Sequence, residues 1–116
     1  MANILCIGID DASMQVKRAT LESAGHTVSL ANDVRQVVAA CSGIRFDVIL
    51  IGQSIPAKEK IRVHELLQDR CNGAMILEQH AAAPELPGAD AHVHGGRSGE
   101  DLVAVVEGLV AKRKSA

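Results

Sequence analysis

The sequence predicts an open α/β fold, a parallel sheet of five strands with helices between them. Three observations predict it. Short aliphatic runs recur five times along the 116 residues, helical apolar spacing fills most of the intervals, and the run at 47–51 is apolar without alternation. A strand that is apolar after its first position must be covered on both faces, which is the condition of a central strand in a parallel sheet. Alternating strands and helices imply right-handed crossovers, and in such sheets functional groups collect beyond the carboxyl ends of the strands.

Residues 4–9 (Ile-Leu-Cys-Ile-Gly-Ile) form the first strand signal, after which Asp10 or Asp11 can cap a helix that runs to about Ala24 and is stopped by Gly25. Residues 26–31 read as the second strand. Asn32 or Asp33 then caps a helix whose Val34, Val37, Val38 and Cys41 fall at i, i+3, i+4 and i+7, with Gly43 at its end. The third strand is 47–51, and Pro56 suits the start of a third helix over 57–70 with Val63, Leu66 and Leu67 on one side. Residues 74–77 make the fourth strand. The stretch 79–87 carries two prolines and is too short for a full helix, so a loop or a single turn is expected. Residues 91–94 give the fifth strand. Ser98 with Asp101 three positions on resembles a capping box, and Leu102, Val105, Val106, Leu109 and Val110 form the stripe of a last helix that ends in Lys112-Arg113-Lys114.

Length and composition bound what such a chain can do. With 47% apolar and 22% charged residues it has the size of one domain, 1–116, with one hydrophobic core. Twelve basic against fourteen acidic side chains give a formal charge of -2, so there is no general electrostatic reason to bind nucleic acid or an anionic membrane. Phe46 is the only aromatic residue, which leaves nothing to stack on bases or sugars. The odd set Cys6, Cys41 and Cys71 lies in or beside apolar segments and reads as small buried hydrophobes in a reducing compartment, without a disulfide framework. The N-terminus lacks a basic region and cleavage site, and no apolar stretch approaches the ~20 residues of a bilayer span, so a cytoplasmic location is expected.

Several segments, in this order and spacing, resemble the receiver domain of two-component response regulators. They are Ile4-Leu5-Cys6-Ile7, then Leu21-Glu22-Ser23-Ala24-Gly25-His26-Thr27-Val28, then Asp47-Val48-Ile49-Leu50-Ile51 followed by Pro56, and finally Gly88-Ala89-Asp90-Ala91-His92-Val93-His94. The resemblance covers nearly the whole chain. It implies a flavodoxin-like, CheY-like three-layer sandwich with a five-stranded parallel sheet in the order 2-1-3-4-5, here with the fourth helix shortened or missing. It also implies positions for a phosphoryl-transfer site, and those positions hold other residues. Gly52 stands where the phosphoacceptor aspartate is expected, Gly8 and Ile9 stand at the acidic pair that holds Mg²⁺ with Asp10 beside them, Glu78 replaces a Thr or Ser, and Gly95-Gly96 replaces Lys-Pro. A glycine has no side chain with which to attack phosphorus. The expectation is an atypical receiver that works through protein contacts, with a signalling kinase, an output domain or a second copy as partner, and with no catalytic residue and no cofactor.

Other constellations carry alternatives. Asp10 and Asp11 could supply a Mg²⁺ site or cap the first helix. Ser54 is a modifiable hydroxyl or an ordinary loop residue. Asp90, His92 and His94 share one strand face; two imidazoles at that spacing suit a transition metal, but a third ligand is lacking unless His80 folds across. The turn Gly95-Gly96-Arg97-Ser98 offers free amides and a cation to an anion. This turn supports a second functional reading, a module binding a small anionic ligand or metabolite at the strand ends. With the helix between strands four and five absent, an apolar groove would either open or be filled by Leu86 and the prolines.

Overall fold

The structure is a computed structural model that describes residues 2–115. Met1 and Ala116, and with Ala116 the question of a following domain, lie outside the described residues. In chain order the elements are β1 (Asn3–Ile7), α1 (Asp11–Ser23), β2 (Thr27–Ala31), α2 (Val34–Gly43), β3 (Val48–Ile51), α3 (Ala57–Arg70), β4 (Met75–His80), β5 (Ala91–His94) and α4 (Gly99–Ser115). The sheet is parallel throughout, with strand order β2-β1-β3-β4-β5. This is the expected flavodoxin-like arrangement.

Side-chain alternation along each strand divides the core into two layers. Ile4, Cys6, Val48, Leu50 and Leu77 face α1 and α4, where Leu21, Val106 and Leu109 meet them. Leu5, Ile7, Ile49, Ile51 and Ile76 face the other way, toward Val37 of α2 and Val63 and Leu67 of α3. All four residues of β3 are fully buried, as its unbroken apolar run requires. The same alternation carries on past the apolar residues: Glu78 follows Ile76 onto the α2/α3 face, and Gln79 follows Leu77 onto the α1/α4 face.

Local chemistry sets the helix ends. Asp10 accepts from the Ser13 N–H at 3.3 Å and Asp33 from the Gln36 N–H at 2.8 Å, each satisfying an orphan donor of its helix. Gly25 has φ +96°, the left-handed conformation that closes α1, with its own N–H donating to Glu22 O and that of His26 to Leu21 O. Ser98 Oγ accepts from the Asp101 N–H at 3.2 Å.

Three expectations need correction. A shortened or missing fourth helix is not what the structure holds. Among the described residues there are four helices, and the fourth in chain order, α4, is the longest at 17 residues, because Leu102, Val106 and Leu109 give it a continuous seat on the sheet. Between β4 and β5, residues 81–90 run as bends and turns, and Leu86, 2% exposed, closes the α2/α3 layer beneath them. Leu86 therefore fills the groove left open above, while both prolines of this segment stay exposed. The second correction concerns cysteine. Cys41 at the end of α2 and Cys71 just past α3 are bonded as a disulfide, with Cα atoms 5.3 Å apart; Cys6 alone is free and buried. They are distant in sequence and adjacent in space because α2 and α3 pack side by side on one face. Third, β4 continues past the expected end at Leu77 through Glu78, Gln79 and His80, the last two expected in the 79–87 loop; pairing of Glu78 with His92 and His80 with His94 extends it. No helix of the described residues is long and apolar enough to cross a membrane.

Candidate functional site

The carboxyl ends of β1, β3, β4 and β5 lead to four positions, Gly8, Gly52, Glu78 and Gly95, and at each of the three glycines a Cβ would meet a close neighbour. At Gly52, the amide donates to Ile7 O at 2.8 Å, and a Cβ would stand 3.0 Å from that carbonyl and 3.2 Å from Lys17 Nζ. Lys17 comes from α1, where it shares the buried face with Met14 and Leu21. Burial pushes its ammonium below the usual lysine range, against the pull of Cys6 and Asp10. Cys6 feels the same burial: its thiol is pushed from 9.0 up to about 12, with Lys17 pulling the other way. A thiol held there stays protonated, so it is no nucleophile.

At Gly8, a Cβ would press on Met14 at 3.2 Å from its sulfur. Ile9 beside it points outward, 62% exposed, with its N–H 3.4 Å from Ser54 Oγ. At Gly95, a Cβ would run into the Gln53 side-chain amide. Gly95 N–H donates to His80 O at 2.8 Å and Gly96 N–H to His94 Nδ1 at 2.9 Å, so this turn is pinned to the end of the sheet. Arg97 lies at the surface, 3.9 Å from Asp101.

Glu78 anchors a buried polar cluster. Its side chain and that of Lys60 are both 0% exposed, with Lys60 Nζ 2.8 Å from Glu78 Oε2, 2.9 Å from Glu85 Oε1 and 3.1 Å from Gln79 O. Glu78 also accepts from the N–H groups of Glu85 and Leu86 and lies 2.8 Å from His92 Nδ1. Burial pushes the carboxyl up, but the hydrogen bonds from Lys60, the Glu85 amide, His92 and the Leu86 amide outweigh it and bring the group from 4.5 to about 2. The cluster ties α3, β4, β5 and the 81–90 segment together. Both Glu78 oxygens have donors, the condition under which a buried ion pair is tolerated.

The candidate metal ligands disperse. Asp10 caps α1, Asp11 begins the same helix, His92 is committed to Glu78, and the His94 ring sits edge-on to His80 with centroids 5.7 Å apart. Among the described residues no three His, Cys, Asp or Glu side chains gather where they could hold a metal ion.

Comparison with family models finds no match, and no curated protein matches the sequence. Solved structures do. A receiver domain of the Francisella response regulator 1452 superposes with TM-score 0.82 at 18% identity, covering 97% of this chain and 98% of that one. Chemotaxis protein CheY4 of Vibrio cholerae gives 0.77 at 24% identity over 94% and 98%. Response regulator TrrA of Thermotoga maritima, solved with Mg²⁺ and BeF, gives 0.80 at 16% identity over 94% and 99%. The fold is that of a response-regulator receiver domain.

On a receiver fold, the residues at the strand ends do not fit Mg²⁺. Gly8 and Ile9 bring no carboxylate, Asp10 is engaged as a helix cap, and the group beside Gly52 is an ammonium, with Lys17 Nζ 3.2 Å from where a Cβ would stand. The sequence singles out Gly8, Gly52, Glu78 and Gly95 but not the side chains that pack against them: Lys17, Gln53, Lys60 and Glu85. Two of these left a trace in the sequence. Lys17 sits between Met14 and Leu21 at i+3 and i-4, and Lys60 precedes Val63 and Leu67 at i+3 and i+7, so each cation occupies a core position of an amphipathic helix.

Proposed function

We propose that this chain is an atypical receiver of two-component or phosphorelay signalling, acting through contacts with another protein and accepting no phosphoryl group on aspartate. One observation supports the reading: at Gly52, where the resemblance puts the acceptor, a Cβ would stand 3.0 Å from the Ile7 carbonyl oxygen and 3.2 Å from Lys17 Nζ. Phosphoryl transfer on this fold needs a carboxylate nucleophile and charge neutralisation by a metal. Gly52 brings no carboxylate, and the side-chain group nearest to it is the Lys17 ammonium. The reading assigns no catalytic residue and no cofactor, and takes the partner to be a signalling kinase, an output domain or a second copy of the chain.

Incubation with acetyl phosphate and Mg²⁺, followed by intact-mass measurement, is the direct test. The mass is expected to stay unchanged. An acid-labile phosphoryl adduct at stoichiometric yield would overturn the proposal.

A further inference from the structure

The Cys41–Cys71 disulfide fastens the helix that has the least other hold on the molecule. Val37 is the one side chain of α2 that is fully buried, whereas α1 buries Met14, Lys17 and Leu21 and α3 buries Lys60, Val63 and Leu67. Val34 at its start and Ile44 just past its end are 49% and 41% exposed. Its last turn carries no basic residue to offset the partial negative charge of a helix end. Beyond Val37, the end of α2 rests on Ala40 and Cys41, both only partly buried, and on the bond to Cys71. An element with so little buried apolar surface opens locally once its fastening is released.

The bond is also within reach of solvent. Both cysteines are partly buried, and clefts meet them from two sides. One, of about 350 Å³, has Arg45, Phe46, Arg70 and both cysteines in its wall; the other, of about 310 Å³, reaches Cys71 past His64 and Asp90. The first cleft is lined by two guanidinium groups and no carboxylate, although Arg70 also pairs with its exposed neighbour Asp69 at 3.3 Å. Cations beside a disulfide favour an approaching thiolate, and here they offset the partial negative charge that the ends of α2 and α3 place there. Cys6 lies in the other core layer, free and buried, and takes no part. A domain of this length with two filled core layers folds without a covalent staple, so the bond can open and leave the fold in place.

We propose that Cys41–Cys71 is a thiol–disulfide exchange site for an anionic low-molecular-weight thiol of the glutathione class, and that reduction there releases the end of α2 while the sheet stays folded. A thiolate attacks Cys71 Sγ, on the cysteine that both clefts reach. The protein S–S bond breaks as the new one forms, and the electron pair leaves on Cys41 Sγ, which takes a proton from water. A second thiolate attacks the small-molecule sulfur of the mixed disulfide, so that Cys71 leaves as a thiol and the two small thiols depart as one disulfide. Two electrons pass from the small thiols to the protein, and the reverse sequence restores the bond. The site stands apart from the partner-binding reading above, because it lies where the chain enters β3 and β4, at the opposite end of the strands from Gly52.

The test incubates the oxidised chain with glutathione, 2-mercaptoethanol or cysteamine, which are anionic, neutral and cationic in turn, and follows mixed disulfide and free thiol by intact mass after an iodoacetamide quench. Rates per thiolate, each divided by that thiol's rate on bis(2-hydroxyethyl) disulfide, are expected to fall in that order by about tenfold or more at low salt and to converge at high salt. Arg45→Gln/Arg70→Gln, at two exposed positions, is expected to slow glutathione by at least about threefold and to leave 2-mercaptoethanol unchanged. In ¹⁵N spectra of the glutathione-reduced chain, the amides of Val34–Gly43 are expected to move and those of Val48–Ile51 to keep their positions. Cys41→Ser/Cys71→Ser should show the reduced spectrum with or without glutathione; if that variant does not fold, the reduced wild type carries the same comparison. Resistance to glutathione until denaturant is added, equal normalised rates for the three thiols, unmoved α2 amides after confirmed reduction, or collapse of the whole spectrum would each overturn the proposal.

Discussion

Replacing Lys60 by Met tests how the core tolerates Glu78. Lys60 is wholly buried and donates at 2.8–3.1 Å to Glu78, Glu85 and the Gln79 carbonyl. Methionine matches the length of the stem but removes the charge. The Glu78 carboxylate is then left buried with two backbone amides and His92 as its remaining partners. Breaking one side of a buried pair costs about 3–5 kcal/mol, a large share of the roughly 5–15 kcal/mol that holds a domain together. With a urea slope of about 2 kcal/mol per M, the unfolding midpoint is expected to fall by roughly 1.5–2.5 M. The double variant Lys60→Met/Glu78→Leu removes the stranded charge as well, and is expected to recover at least about 2 kcal/mol of that loss, the signature of coupling between the pair. A loss below about 1 kcal/mol in Lys60→Met, or strict additivity in the double variant, would show that the cluster does not stabilise the fold in this way.

Three further outcomes follow from the same geometry. Glu78 is held at about 2 rather than 4.5, so its contribution, roughly 3 kcal/mol, is complete above pH 4.5 and lost as pH falls toward 2; urea midpoints at pH 6 and pH 3 should differ more in the wild type than in Glu78→Gln. Closing a 30-residue separation, the Cys41–Cys71 disulfide stabilises by about 3–4 kcal/mol on the chain-entropy account, so dithiothreitol should lower the melting temperature by roughly 12–16 °C; an unchanged melting curve after confirmed reduction contradicts this. Cys6, with its thiol pushed up to about 12, should resist iodoacetamide in the folded, unreduced protein at pH 8 and react fully in denaturant.

The fold was legible because it rests on repeating patterns. The apolar stretch 47–51 required cover on both faces, and β3 is buried throughout; Gly25 suited a left-handed helix end, and its φ is +96°. Pattern failed where long-range contacts decide. The Glu78-Gln79-His80 run is polar and reads as loop, yet it is strand because β5 pairs with it and because Lys60 and His92 supply what Glu78 needs. The cysteines misled for a similar reason: their separation in sequence says nothing of α2 lying against α3, which a sheet topology must first establish.

The candidate site shows the same division between what is local and what is assembled. In the sequence Gly8, Gly52, Glu78 and Gly95 stand out one at a time, as departures from the residues that the receiver resemblance implies. The structure adds the neighbours that meet these positions from other elements, Met14 and Lys17 from α1, Gln53 from the turn after β3, Lys60 from α3. A carboxylate restored at Gly52 would meet the Lys17 ammonium and pair with it before it met any metal, and a lysine restored at Gly95 would have to displace Gln53. Gly52→Asp is therefore expected to remain unphosphorylated by acetyl phosphate in the intact-mass assay, and adding Gly95→Lys to be no better until Lys17 and Gln53 are also replaced. Turnover in Gly52→Asp alone would mean that Lys17 yields its place easily, and that the refilled centre is one substitution away from chemistry.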